Sequence, residues 1–193
     1  MKTYYFLLTL YLLTLTTPAA AQCGRFGDGK SAKMRTSDSL KNRSAITAQP
    51  MIIPIDSILR QPLSTDYWLL STTFASITGY VVSVKYGGPE SCNCKSTDKT
   101  DWDYHIVVAK DKDHIKPIDC MIFEVTRYNR ADNPALTYAF CKSLVGHYAT
   151  FDTWLFPDIE HWNAAENTHP GGVHNWRRTI WEGHSIKSIT ITH

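Results

Sequence analysis

The stretch from His161 to His184, HWNAAENTHPGGVHNWRRTIWEGH, concentrates the side chains of this protein that can do chemistry. It carries His161, His169, His174 and His184, half of the eight histidines, among Trp162, Trp176 and Trp181, with Glu166, Arg177, Arg178 and Glu182 beside them. Neutral imidazole and carboxylate suit zinc or another divalent ion, and imidazole exchanges protons near neutral pH. Tryptophan offers a flat plate for sugars or bases, and arginine a planar cation for phosphate or carboxylate. Two chemistries follow. A ligand-binding loop would use Asn175, Trp176, Arg177, His169 and His174. A metal or acid/base site would use His105, Glu124, His161 and His184. Against the second stands the spacing: there is no His-Glu-x-x-His run, and Cys92-Asn93-Cys94 has no matched second pair. A hydrogen-bonded network tying strands together would use the same residue types, because buried polar groups must be satisfied.

Bringing those groups together requires strands, and the pattern supplies them. Residues 76–86 read as a first strand, with Gly79 as a bend or bulge. A long turn at 87–101 leads to a second strand at 102–110, and a third spans 120–126. Asn133-Pro134 predicts a helix opening there and running to about Leu144, with Gly146 ending it. A fourth strand at 147–156 and a fifth at 178–192 complete the series. Alternation puts Asp101, Asp103 and His105 on one face of the second strand, and Trp102, Tyr104, Ile106 and Val108 on the other. If the second and third strands pair, His105 meets Glu124 on a polar face, and Glu182 and His184 share a face of the last strand. Three strands, a helix and two strands is the order of the oligonucleotide/oligosaccharide-binding (OB) barrel, a five-stranded Greek key. The expected fold is therefore mainly β with one helix. In such barrels the ligand lies between the first and fourth loops. Here those loops are 87–101 and 161–175, the two longest and oddest in the chain.

The N-terminal region reads differently. Residues 1–21 have a charged start, an apolar run and Ala19-Ala20-Ala21, which predicts a secretory signal and an exported, periplasmic or secreted protein. Cys23 lies two residues past the expected cut, so a lipid anchor to an outer membrane is weighed, although Gln22 is a poor residue before it. No transmembrane span is expected. Removing residues 1–21 takes only Lys2 from the 20 basic residues, leaving 19 against 18 acidic. That balance gives no global pull toward nucleic acid or anionic lipid. Residues 22–50 have no apolar periodicity and read as a flexible basic linker, with Asn42-Arg43-Ser44 as a formal glycosylation triplet. Residues 51–75 are a lead-in packed on the barrel domain at 76–193, with Asp56 placed to cap a short helix over 57–60. The five cysteines allow two disulfides and one left over. Cys120–Cys141 is a plausible staple, whereas Cys92 and Cys94 could close on each other, bind metal or pair elsewhere.

The phrases ITGYVVSVKYGGPESCNC, DYHI, DTWLFPDIEHWNAAENTHPGGVHNW and RRTIWEGHSIKSITI resemble an uncharacterised group of exported bacterial domains of OB-like fold. The resemblance covers about residues 77–191 and implies the barrel, with no activity attached. The chain departs from that pattern at Thr153, where Gly is expected, and at Ser185, where Pro is expected. The functional expectation is a binding module whose ligand is a glycan, nucleic acid, peptide or partner protein. The alternatives are a metal-dependent, phosphodiesterase-like hydrolase and a structural envelope protein.

Overall fold

The 13-residue strand β2 (Phe74–Tyr86) organises the structure, because its two halves pair with different neighbours. The computed structural model describes residues 23–44, 49–61 and 71–192. A two-residue strand β1 (Met51–Ile52) lies parallel to the start of β2. The first half of β2 runs antiparallel to β5 (Tyr148–Pro157), and the second half runs antiparallel to β3 (Tyr104–Ala109). β3 pairs with β4 (Cys120–Val125), β4 lies parallel to β6 (Trp181–Thr192), and β6 returns to β5. The circuit β2-β3-β4-β6-β5-β2 closes five strands into an OB-like barrel, and closure removes the open edges a flat sheet would expose.

One strand can serve two neighbours only if it bends. The register shifts between Val81 and Ser83, a bulge that coils β2 around the barrel. Gly79 sits just before it, where a Cβ would lie 2.5 Å from Val108 Cγ1 and 2.8 Å from the Ala109 carbonyl. A second irregularity in β6 sets Thr153 opposite Ile186 and Trp154 opposite His184, leaving Ser185 in the left-handed region at φ 66°. Proline, whose φ is locked near −65°, could not adopt this backbone, so the serine found where proline was expected fits the local geometry.

Alternation fills the barrel with Ile77, Val81, Ile106, Val108, Met121, Phe123, Phe151 and Trp181, all essentially fully buried. Phe123 and Phe151 stack at 4.3 Å, and Gly183 leaves room for the Phe123 ring. Each such side chain contributes about 1.5–3 kcal/mol by leaving water.

The single helix expected at 133–144 is two short ones, α3 (Arg127–Asp132) and α4 (Tyr138–Ser143); two further helices, α1 (Ala32–Lys41) and α2 (Ile55–Leu59), precede them in the chain. Asn133 is extended (φ −138°, ψ 90°), as the residue before proline must be, so Asn133-Pro134 ends α3 instead of opening a helix. Thr126 and Asn129 cap α3 reciprocally, and Thr137 caps α4. Leu136, Cys141 and Leu144 then pack under the barrel. In the lead-in, α2 buries Ile55, Ile58 and Leu59, and Pro54 rather than Asp56 stands at its cap. Asp56 lies in the first turn and pairs with Arg60.

The segment read as a flexible linker is ordered over residues 23–44. Ser31 caps α1, whose Ser37, Asp38 and Lys41 are buried. Cys23 and Cys94 form a disulfide, while Cys92, Cys120 and Cys141 are buried free thiols. The expected Cys120–Cys141 staple is therefore replaced. Cys141 sits among core hydrophobics, and the Cys120 thiol donates to the Lys116 carbonyl at 3.2 Å. Cys23, joined to Cys94, has no free sulfur for a lipid. Asn42 is buried and donates to the Cys92 carbonyl at 2.8 Å and the Arg25 carbonyl at 3.2 Å, which rules out a glycan on the folded chain. The signal expected at 1–21 lies outside the described residues. No helix among the described residues is long and apolar enough to cross a membrane.

Candidate functional site

The alternation that fills the barrel sends His105, Glu124 and His184 to its outer surface. The three occupy one row across adjacent strands: His105 is the register partner of Glu124, and Glu124 of His184. His184 Nε2 lies 2.8 Å from Glu124 Oε2, and His105 Nε2 lies 3.0 Å from Glu124 Oε1. Gly87 packs against the His105 ring, where a Cβ would come within 2.6 Å of Nε2. Asp103 is buried beside the row, and the Cys92 thiol donates to its Oδ2 at 3.7 Å.

The row lies between the loop after β2, which supplies Glu90, and the loop after β5, which supplies Asp158, and it is roofed. α1 lies over the row and hands Lys41 down into it. Lys41 Nζ is buried and stands 2.9 Å from Asp158, 3.1 Å from Glu90 and 3.8 Å from Glu160. The Lys41 carbonyl meets His184 Nδ1 at 3.0 Å. Asp38 ties the roof to the loop after β2, accepting from Ser91 Oγ at 2.6 Å and from the Gly29 amide at 3.1 Å. The disulfide to Cys94 fixes its outer end.

Burial and mutual charge set the ionisation of the cluster. For Lys41 burial opposes the charge, but Asp158 and Glu90 outweigh it and hold the ammonium well above its ordinary range. Burial would raise Glu124, yet His105 and His184 hold it well below the carboxylate range. Burial would likewise lower His105, but Glu124 and Glu90 raise it to about 9, and His184 is raised by Glu124 against its own burial. Asp103, with burial and the charges of Glu124 and Glu90 against it, is pushed up to about 7. Burial, then the Cys92 neighbours Asp103 and Glu90, push that thiol well above its usual range, so it is a protonated donor and not a nucleophile.

A second group lies at the end of β5. Arg177 is fully buried and its guanidinium pairs with the equally buried Glu182. His161 Nε2 is 3.7 Å from Asp158 Oδ2, and burial together with Arg177 lowers its pKa. The Trp176 ring is half-buried, with the Arg177 guanidinium 4.2 Å from its centre, the His161 ring edge-on at 5.4 Å, and Lys85 Nζ at 5.4 Å.

The loop beyond is shaped by its own hydrogen bonds. Glu166 accepts from the Gly171 amide at 2.9 Å and from Asn175 Nδ2 at 2.6 Å, and Asn175 also donates to the His169 carbonyl at 2.7 Å. Asn167 accepts from the Ile180 amide at 3.0 Å.

The expected metal set is thus divided. His105, Glu124 and His184 come together, whereas His161 belongs with Asp158 and Glu182. Of the expected ligand contacts, His169 and His174 are exposed and Trp176 is half-exposed. Arg177 supports the ring from beneath and touches no solvent, because it balances Glu182 in the interior. Asn175 is committed to Glu166. Sequence reasoning missed Lys41, Glu90 and Asp158. Lys41 lies on a helix whose buried face is Ser37, Asp38 and Lys41, so no apolar period marks that face. Glu90 and Asp158 sit in irregular turns where alternation has no meaning; the capping oxygens of Glu90 and Asp158 are the one local signal. No family model matches the chain, and no curated protein matches it either.

Proposed function

We propose that the chain is an exported OB-like binding module that takes an oligosaccharide on the lip of loop 161–175. The observation carrying this reading is the Trp176 plate. It is half-exposed at the loop position such barrels use for ligands, clamped from behind by Arg177 and flanked by His161 and Lys85. Trp162, His169 and His174 are exposed on the same loop. The near-balance of charge, 20 basic against 18 acidic residues, favours a sugar over a polyphosphate. The hydrolase alternative needs a metal with an open position facing substrate, and His184 and Glu124 are buried at 0 % and 1 % exposure.

Titrating the purified chain with hexamers of glucose and of N-acetylglucosamine, read by tryptophan fluorescence, is the test. Saturable binding is expected, with Trp176→Ala and the fully surface variant His174→Ala each weakening it, the former by roughly 10-fold or more. Binding of single-stranded DNA alone would turn the reading to nucleic acid. No saturable change with any of these probes would leave a structural envelope role in its place.

A further inference from the structure

We propose that His105, Glu124, His184 and Asp103 form a structural site for one divalent transition-metal ion, zinc being the best match. The site is separate from the loop and stands whatever the loop binds. Three observations carry it.

The first is convergence. Asp103, Glu124 and His184 place one donor atom each within 4.8 Å of one another, and so do Glu90, His105 and Glu124. Glu124 is common to both sets, so four further residues, Asp103, His184, Glu90 and His105, offer donors around its carboxylate. In a zinc tetrahedron with bonds of about 2.0–2.1 Å, neighbouring donors stand about 3.3 Å apart. The His184–Glu124 and His105–Glu124 separations of 2.8 and 3.0 Å need open only slightly to admit the ion.

The second is the tautomer of His184. Its Nδ1 faces the Lys41 carbonyl at 3.0 Å, and a carbonyl can only accept, so the Nδ1 proton is assigned. Nε2 then faces a carboxylate oxygen 2.8 Å away, a contact that requires positive charge between the two atoms, supplied either by a second ring proton or by a metal ion. A backbone carbonyl holding the far nitrogen is also the usual outer partner of a metal-bound imidazole.

The third is the pair of orphan atoms. His105 Nε2 and Glu124 Oε1 are buried and near each other, yet neither makes a hydrogen bond of acceptable geometry. Both side chains are at least nine-tenths buried.

The other buried cluster does not qualify in the same way. Asp158 already holds the Lys41 ammonium and Glu182 the Arg177 guanidinium, permanent cations that fill the place of a metal. Glu124 has only imidazoles, whose charge a metal replaces. Nitrogen and oxygen donors in this mixture suit zinc above calcium or magnesium. A metal here would pin β3, β4 and β6 to one another and, through the Lys41 carbonyl, to α1.

The chain, purified without a histidine tag and stripped with chelator, is titrated with cobalt(II) and then zinc. Expected are the intense visible bands of a tetrahedral cobalt complex at one equivalent, their bleaching by zinc, and a rise in melting temperature. His184→Gln should weaken zinc binding by more than the roughly 10–100-fold that loss of an outer partner costs. His105→Gln, at the rim of the site, should weaken it too and serves if His184→Gln fails to fold. His169→Gln, on the exposed loop, should bind as the unaltered chain does. Absence of tetrahedral cobalt bands, zinc affinity unchanged in a folded His105→Gln variant, or equal loss in His169→Gln would each overturn the proposal. The first of these outcomes would assign the Nε2 atoms to imidazolium protons instead.

Discussion

His105, Glu124 and His184 show how a buried charge row depends on the company of each residue. With chelator present, the imidazoles must carry the positive charge that Glu124 demands. His105, held at about 9 in the folded chain against an ordinary value of 6.5, then contributes stability that is complete below pH 6.5 and lost as pH rises through 9. Asp103, pushed up to about 7, works in the same direction: its contribution is present below pH 3.8 and disappears above 7. Glu124 has the opposite sign, because its depressed pKa gives stability above 4.5 that is lost as pH falls further. The groups facing these three are Lys41, Glu90, Cys92 and Glu182, and none reverses those signs. The metal-free chain should therefore be most stable near pH 5–6 and melt progressively lower up to pH 9. His105→Gln should flatten the alkaline limb, and a melting temperature that rises from pH 6 to 9 would contradict the assignment. Lys41 gives a second prediction at this scale. Lys41→Met strands Asp158 and Glu90 without their ammonium, at a cost of about 3–5 kcal/mol in urea unfolding. Adding Asp158→Asn should recover much of that loss, since removing both partners leaves no buried charge unpaired.

Among the elements, the N-terminal roof matters most to the site. It has little apolar surface of its own, so its attachment rests on the Cys23–Cys94 bond, the Asp38 contacts and Lys41. Closing a loop across a sequence separation of 71 residues is worth about 4 kcal/mol in the chain-entropy treatment. Cys23→Ser should lower stability by up to about that much and raise amide exchange in α1 before exchange in β3 or β4 rises. Equal exchange across all three elements would mean that the roof and barrel open as one. The loop at 161–175 behaves differently, because Glu166 and Asn175 hold it internally and Asn167 ties it to the Ile180 amide.

For the whole molecule, barrel closure determines what the residues can reach. β2 must curve around Gly79, and β4 must meet β6 in parallel, or His184 never reaches Glu124. Gly183 marks how tightly that meeting is packed: Gly183→Ala would drive a methyl group into the Phe123 ring and cost about 1–3 kcal/mol, measurable as a lowered urea midpoint. Unchanged stability in that variant would mean that β4 and β6 have slack. Much of this architecture was legible in the sequence. Period-two alternation marks the second, third and last barrel strands, and the strand order agrees with an OB-like barrel, because both depend on residues close along the chain. The pairing of His105 with Glu124 followed from the same alternation. Asn133-Pro134 was legible only in part, since proline restricts the residue before it as firmly as it starts a helix.

What the sequence determined by itself was therefore the strand order, the two long loops and the residue types that line the outer face. Tertiary structure alone decided which cation faces which carboxylate. It put Lys41 beside Asp158, sank Arg177 onto Glu182, joined Cys23 to Cys94 and drew His161 away from the row. The physical reason is that local preferences act over a few residues, whereas burying a charge is tolerable only beside an opposite one. Apart from Arg177 and Glu182, which are five residues apart, those partners lie far apart in the chain, 49 residues for Lys41 and Glu90, 60 for Glu124 and His184, and only closure of the barrel under its roof brings them together.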